Sequence, residues 1–186
     1  MRMLLAVDPG FCHSGCARLK LQDGVWAVDE LLVINTEPPK NKLKFLKGDA
    51  DFSRLLETCR HLRTMSKDCL CLLAELPPGG AKSASALRAM SLATGALAGV
   101  VECLGLPYEL VQPGDVKKAA CGRRSASKEE VMEWAWTKYP EAAKPWRSAR
   151  SATGFNGEFE HAADALAVFE ACRHGVLVRQ IELSGG

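Results

Sequence analysis

Two short apolar runs in this chain each end in an acidic residue, and this pattern constrains the fold more than any other feature. LLAV is followed by Asp8 and then Pro-Gly, and CLCLLA is followed by Glu75. A short unbroken apolar run is typical of a strand buried on both faces of a parallel sheet. A carboxylate at the end of such a strand is costly to bury without a cation or hydrogen-bond donors. The sequence therefore predicts an α/β fold with a site at the carboxyl ends of neighbouring strands.

The hydrophobic periodicity predicts one mixed five-stranded sheet flanked by helices. The first three strands form an antiparallel meander, because QDG between the second and the third is a hairpin signal. The last two strands are parallel, since a helix between them makes a crossover connection. The strands are expected over residues 4–7, 15–21, 25–34, 68–76 and 108–111.

Helical spacing accounts for most of the remaining chain. Asp51 is expected to cap an amphipathic helix that ends near Ser66. Residues 140–156 are instead predicted to form a mobile loop, with Trp146 and Phe155 exposed. Further helices are expected over residues 83–104, 115–120, 127–139 and 158–174, the last of which closes the domain.

Composition favours a globular protein with a single domain over residues 1–186. The chain is 47% hydrophobic and 25% charged, and its length suffices for one core. The apolar segment 86–104 carries Arg88 and Glu102, so a buried helix is expected there rather than a membrane span. The N-terminal apolar run is too short for a secretory signal. We therefore expect a cytoplasmic protein that has no membrane partner.

The eight cysteines leave one alternative open. Most of them lie in apolar periodic runs, where cysteine acts as a small hydrophobe in a reducing compartment. Cys12, His13 and Cys16 could instead join Cys69 and Cys71 in a zinc site. Neither cysteine pair has the CxxC spacing of a structural zinc site, and zinc stays an alternative at this point.

The distribution of charge is uneven, although the net charge is only +2. Residues 117–128 (KKAACGRRSASK) contain five basic residues and no acid, and residues 40–47 (KNKLKFLK) contain four lysines. A run of this kind is often only a solvated surface, and contact with nucleic acid is the alternative.

The closing helix adds two candidate ligands to the acids at the strand ends. His161 and Asp164 are three residues apart and share one face of that helix. Together with Asp8 and Glu75 they would offer hard oxygen and imidazole ligands, which suit Mg²⁺ or Mn²⁺ better than zinc or iron. Two such ions about 4 Å apart can drive phosphodiester hydrolysis. The alternative is that each acid serves only a local cap or ion pair.

The same segments resemble the RuvC family of Holliday-junction resolvases, nucleases of the RNase H-like fold. The resemblance rests on LLAVDPG, LLAE, SALRAMSLATGALAGVV, PGDVKKAACGRRSASKEEV and HAADALAVF, in this order over nearly the whole chain. It implies a homodimeric, Mg²⁺-dependent endonuclease, with Mn²⁺ as a substitute, that resolves four-way DNA junctions by paired nicks and leaves 5′-phosphate and 3′-hydroxyl ends. The family's metal-binding positions fall on Asp8, Glu75, His161 and Asp164, and many members have Asp where this chain has His161.

The resemblance also indicates which residues contact DNA. The family's basic positions near the scissile phosphate fall on Lys117 and Lys128, and Lys128 would neutralise charge on that phosphate. Ser83 and Arg88, at the start of the long helix, are expected to meet backbone phosphate. The other candidate DNA contacts are Lys118, Arg123, Arg124, Arg147 and Arg150.

The chain departs from the family pattern in two places. LPPGG after Glu75 has no aromatic residue, whereas family members commonly carry one there that enters the junction centre. The segment 140–156 is longer than in cellular members, which points to the phage-encoded branch. Two other functions stay open: a catalytically silent junction- or RNA-binding protein of this fold, and an actin-like ATPase, because DPGFCHSG resembles the first phosphate loop of that class.

Overall fold

A five-stranded mixed sheet forms the centre of the computed structural model, which describes residues 2–37, 47–76, 83–148 and 154–184. Its strands are β1 (Arg2–Asp8), β2 (His13–Gln22), β3 (Val25–Asn35), β4 (Cys69–Glu75) and β5 (Tyr108–Val111). Their order in the sheet is β3-β2-β1-β4-β5. The β1–β2 and β2–β3 pairs are antiparallel, and the β1–β4 and β4–β5 pairs are parallel. The predicted fold class is confirmed.

The predicted hairpin between β2 and β3 is present. Asp23 and Gly24 have φ values of 51° and 79°, which are the positive values that a two-residue type I′ turn requires. This turn directs β3 back along β2, so that Asn35 at the end of β3 pairs with His13 at the start of β2. The carboxyl end of β3 therefore lies at the same edge of the sheet as Asp8.

Helices cover both faces of the sheet. They are α1 (Lys47–Met65), α2 (Ala84–Leu104), α3 (Pro113–Cys121), α4 (Lys128–Lys138), α5 (Pro140–Ala143), α6 (Phe159–Cys172) and α7 (Val176–Leu183), with a 3₁₀ turn over Lys144–Trp146. Because side chains alternate along β1, Leu5 and Val7 pack with α1 and α2, whereas Leu4 and Ala6 pack with α3, α4, α6 and α7.

Helix α1 begins earlier than the sequence indicates. It includes Lys47, so Asp51 lies inside the helix and is not its cap. The Asp51 carboxylate instead accepts hydrogen bonds from Arg88 of α2 at 3.0 and 2.7 Å. The capping prediction was wrong because this acid serves a contact between two helices. The lysine run at 40–47 lies almost entirely outside the described residues.

The predicted mobile loop over residues 140–156 is also wrong where the structure describes it. Its first half forms α5 and the 3₁₀ turn, and Arg147 forms an isolated antiparallel bridge with Phe155. Phe155 is only 2% exposed and stacks on Phe159 at 4.7 Å. Burial of a large aromatic ring is strongly favourable, so Phe155 is buried although the segment around it is polar. Residues 149–153 lie outside the described ranges.

The C-terminal boundary of the fold differs from the prediction as well. Helix α6 does not close the domain, because α7 follows it after a short turn. Val178 and Ile181 of α7 are buried against the same core as α6.

Helix α2 is buried along only one face. Ala93, Ala96, Leu97 and Val100 are buried, whereas Leu87 is 58% exposed. By length and composition alone, α2 is the one helix among the described residues that could cross a membrane. Here it packs against α1 and the sheet along one face, so the predicted burial is correct for only four of its twenty-one residues.

Candidate active site

Asp8 and Glu75 end two neighbouring parallel strands. Val7 of β1 pairs with Ala74 of β4, one residue before each acid. Both carboxylates therefore lie at the carboxyl edge of the sheet, which is where open α/β sheets place their sites. The sequence prediction that these two acids are neighbours is confirmed by this register.

Gly15 brings α6 against the sheet. A Cβ atom built on Gly15 would lie 1.8 Å from the carbonyl oxygen of His161, a distance that no side chain tolerates. The absence of a side chain in β2 thus allows the backbone of α6 to approach β2 directly. The approach places His161 Nδ1 3.4 Å from Asp8 Oδ2 and brings Asp164 to the same edge, where the charge of Asp8 acts on Asp164 and that of Asp164 acts on Glu75.

The electrostatics show that the three carboxylates share one environment. Burial, together with the charges of Asp8 and Asp164, raises the pKa of Glu75 to about 8. Burial and the charge of Asp8 raise the pKa of Asp164 to about 7. The charge of Asp8 thus opposes the ionisation of both Glu75 and Asp164. The hydrogen bond from His161 to Asp8 raises the pKa of His161, because it favours the charged imidazole.

This donor set fits a hard divalent cation. Carboxylate oxygens from Asp8, Glu75 and Asp164, with one imidazole from His161, match the ligands of Mg²⁺ or Mn²⁺. A cation would also relieve the mutual repulsion that raises the pKa values of the acids. Over residues 2–37, 47–76, 83–148 and 154–184, no three His, Cys, Asp or Glu side chains are already arranged as a ligand set.

His161 has a neighbour that the sequence analysis did not assign to this site. The rings of His13 and His161 stack at 5.3 Å with an interplanar angle of 15°. His13 Nδ1 lies 2.6 Å from Asn35 Oδ1, and Asn35 Nδ2 donates to Glu158 Oε1 at 2.8 Å. A series of contacts therefore runs from His161 through His13 and Asn35 to Glu158, and it joins β2, β3 and the chain before α6. No local sequence pattern predicts this stack, because it depends on β2, β3 and α6 meeting at one edge of the sheet.

Lys128 reaches the site as predicted and pairs with an acid there. Its Nζ lies 2.9 Å from Glu160 Oε1, and this bond raises the pKa of Lys128. The charges of Asp8 and Asp164 also act on Lys128. The same oxygen of Glu160 lies 3.5 Å from His161 Nε2. Glu160 is thus a further acid of the site, and its position directly before His161 in EFEH was the available signal.

Three further predicted DNA contacts, Lys117, Ser83 and Arg147, each make a different kind of interaction in the structure. Lys117 lies near enough to Glu75 to lower its pKa, against the larger effects that raise it. Ser83 caps α2 by accepting a hydrogen bond from the Ala86 amide. Arg147 packs over the rings of Trp136 and Phe155, with its guanidinium carbon 4.0 and 4.6 Å from their centres.

Three of the predicted arginine contacts are paired with acids, and a fourth is not described. Arg88 binds Asp51, Arg124 binds Asp115 at 2.6 Å, and Arg123 binds Glu130. Lys118 has no ion pair with a described residue. Arg150 lies outside the described residues.

A buried arginine holds the loop that follows Asp8. Arg54 of α1 donates to the Thr36 carbonyl at 2.9 Å and to Cys12 Sγ at 3.0 Å, and it lies over the Phe11 ring at 4.1 Å. A buried guanidinium needs such acceptors, since burying an unpaired charge is costly. Arg54 thereby links α1 and the end of β3 to the loop beside Asp8. The sequence analysis missed this role because the partners are distant along the chain.

The zinc alternative is not supported by the positions of the cysteines. Cys16 and Cys69 lie in the core beneath α1 and α2, whereas Cys71 lies in the core on the opposite face of the sheet. Burial raises the pKa of Cys16 and raises that of Cys71 to about 12, so both thiols stay protonated. Thiolate ligands for zinc are therefore disfavoured here.

Comparison with solved structures identifies proteins of the same architecture. T. thermophilus RuvC in complex with a Holliday junction substrate superposes with a TM-score of 0.65, covering 91% of each chain at 20% identity. A second structure of Thermus thermophilus RuvC gives a TM-score of 0.63 at 19% identity, covering 91% of this chain and 92% of that one. The yeast mitochondrial Holliday junction resolvase Ydc2 gives 0.62 at 14% identity, covering 96% and 80%.

Neither protein-family models nor curated protein sequences match the chain. The structural likeness extends over almost all of this chain and of the T. thermophilus protein, so it includes both helix layers and the sheet. The chain therefore has the RNase H-like fold of RuvC-type Holliday junction resolvases, as the sequence resemblance predicted.

Proposed function

We propose that the protein is a divalent-metal-dependent endonuclease that resolves four-way DNA junctions. The observation that carries the proposal is the meeting of carboxylates from β1, β4 and α6 at one edge of the sheet, where burial and the charge of Asp8 raise the pKa of Glu75 and of Asp164. A buried acid cluster without a cation is unfavourable, and it would not by itself favour binding of a phosphate. Support also comes from the fold, since a neighbour with this fold is bound to a Holliday junction substrate.

Four side chains would hold the metal ions. When bound, Mg²⁺, or Mn²⁺ in its place, supplies an activated water and stabilises the leaving oxygen. Asp8 would serve as a ligand alongside both Glu75 and Asp164, since its charge acts on both of these acids. His161, which lies against Asp8, would either ligate a metal or orient the water. Cleavage leaves 5′-phosphate and 3′-hydroxyl ends.

Basic residues beside the acids bind the DNA backbone. Lys128 neutralises charge on the scissile phosphate, since its Nζ already lies among the acids of the site. Lys117, near Glu75, binds the same strand. Contacts of this kind depend strongly on salt, because each one releases counterions from the DNA.

The proposed active unit is a homodimer. A four-way junction has two-fold symmetry, and a two-fold dimer presents two equivalent sites to it. Apolar residues exposed on the outer layer of α1 and α2 are available for such an interface, namely Phe52, Leu56, Leu87 and Leu104. A groove of about 470 Å³ between these two helices lies next to them.

Cleavage of a labelled mobile four-way junction in Mg²⁺ tests the proposal. Asp8→Asn removes one proposed carboxylate ligand, so cleavage should fall on the order of a thousandfold while junction binding in EDTA persists. Asp23→Asn is the matched control, because Asp23 lies in the β2–β3 turn, where asparagine also tolerates the positive φ.

Two results would contradict the assignment. Cleavage by Asp8→Asn at the wild-type rate would remove Asp8 from the chemistry. A wild-type protein that binds the junction but never cuts it in Mg²⁺ or Mn²⁺ would support the catalytically silent alternative instead.

A further inference from the structure

Among the described residues, four of the seven cations expected to contact DNA are paired with acids in the free protein. Each pair joins a residue of the proposed DNA surface to a carboxylate on the same or a neighbouring element: Arg88 with Asp51, Arg123 with Glu130, Arg124 with Asp115, and Lys128 with Glu160. A DNA phosphate that reaches one of these cations therefore replaces a carboxylate and not only water.

The Lys128–Glu160 pair is the one that lies at the acid cluster. Lys128 begins α4, where the Ser127–Glu130 capping box fixes the start of the helix, and its side chain is 62% exposed. Glu160 is in the first turn of α6 and is 25% exposed. The pair thus joins the starts of two helices that pack on each other, beside His161 and Asp8.

The carboxylate oxygen in this pair has two partners. Glu160 Oε1 accepts from Lys128 Nζ at 2.9 Å and lies 3.5 Å from His161 Nε2. A phosphate oxygen bound by Lys128 next to His161 would need to occupy about the same position. Two negative oxygens cannot share that position without strong repulsion.

We propose that Glu160 is an internal substitute for the DNA phosphate, which holds Lys128 at the site in the free protein and releases it when the scissile strand binds. This inference rests on the proposed function. Because the lysine of the pair is largely exposed and water reaches the pair, its own stability is small and the exchange is easy. The exchange still lowers the affinity for DNA, since the released carboxylate remains close to the bound phosphate.

Equilibrium binding of a labelled four-way junction in EDTA tests this role without metal or cleavage. The proteins compared are wild type, Glu160→Gln, Lys128→Met and the double variant. Glu160→Gln should tighten binding about two- to fivefold, the range expected for an exposed ion pair. The same change in the Lys128→Met background should have a clearly smaller effect, because no lysine remains to be released.

Glu158→Gln is the matched control. It removes the same charge two residues earlier, where the carboxylate accepts from Asn35 and not from a lysine. Its effect should be equal with and without Lys128. The salt dependence provides a second readout: log K against log[salt] should become steeper in Glu160→Gln, and should lose about one unit of slope in Lys128→Met.

The possible results separate the two proposals. Weaker binding by Glu160→Gln, or an equal effect in both backgrounds, would overturn the role of Glu160 and leave the nuclease assignment intact. If the wild-type protein does not bind the junction at all, the proposed function is wrong and the inference is overturned with it.

Discussion

The helix layers on the two faces of the sheet are built differently. Nine of the fourteen residues of α6 are buried, whereas α2 buries only four of its twenty-one. Helix α6 is enclosed by the sheet, α3 and α4, and it carries His161 and Asp164. Helix α2 leaves Leu87 and Leu104 exposed at 58% and 41%. The layer with α6 thus positions the proposed catalytic residues, and the layer with α2 presents the apolar surface that we propose as the dimer interface.

Alanine substitutions at Gly15, which contacts α6, and at Gly95 of α2 should show the largest difference in stability between the two layers. Gly15→Ala forces a Cβ into the backbone of α6, so we expect a loss of at least about 3 kcal/mol in the free energy of unfolding. Gly95→Ala on α2 meets nothing within 4 Å and should stabilise the helix by about 0.5–1 kcal/mol. Urea denaturation followed by circular dichroism measures both values.

A Gly15→Ala protein with wild-type stability would show that α6 can move away from β2 at little cost. In that case the rigid placement of His161 and Asp164 described above would be incorrect.

The pH dependence of stability should come from the acid site and not from the outer layer. In the folded protein the pKa of Glu75 is about 8, against 4.5 ordinarily, and that of Asp164 is about 7, against 3.8. For an acid whose pKa is raised by folding, ionisation costs stability. The metal-free protein should therefore lose on the order of several kcal/mol as the pH rises from about 4 to 8.

Glu75→Gln should reduce this loss, because the glutamine does not ionise. Urea titrations in EDTA at several pH values across this range would measure it, with Glu102→Gln, an exposed residue of α2, as the control. Mg²⁺ should stabilise the wild-type protein more at pH 8 than at pH 5, since protons compete with the metal. An unchanged pH slope in Glu75→Gln would refute the coupling among the acids.

Charges placed on the outer layer should have the smallest effect on stability. Leu87→Glu and Leu104→Glu alter exposed positions, so the free energy of unfolding of each monomer should change by no more than about 0.5 kcal/mol. Sedimentation velocity should nevertheless show monomers in place of the proposed dimer. Leu183→Glu on α7, which is 80% exposed, is the matched control and should stay dimeric. Persistence of dimers in both α2 variants would exclude this face as the interface.

The strand-end acids could be located from the sequence because their signal is local. Asp8 and Glu75 each terminate an apolar run, and the turn residues after them mark the sheet edge. His161 and Asp164 could be placed on one helical face by their spacing, which made them candidate ligands before the family resemblance was considered. Glu160, by contrast, was not assigned to the site, although it directly precedes His161 in the sequence.

The residues that support the site were not predictable in the same way. Arg54 is separated from its partner Cys12 by 42 positions, and His13 is far along the chain from His161. Phe155 lies in a polar segment, so its burial depends on Phe159 and Trp136 rather than on its own neighbours in sequence. These contacts depend on where distant elements meet, and periodicity contains no such information.

The amino-acid sequence by itself determined the order and type of the main strands and helices, because hydrophobic periodicity, capping and turn chemistry act within a few residues. Only the tertiary structure decided that Gly15 admits the backbone of α6, that His13 stacks on His161, and that Glu160 holds Lys128. Charges and rings from separate elements become partners only where packing of the two layers on the sheet brings them within a few ångströms.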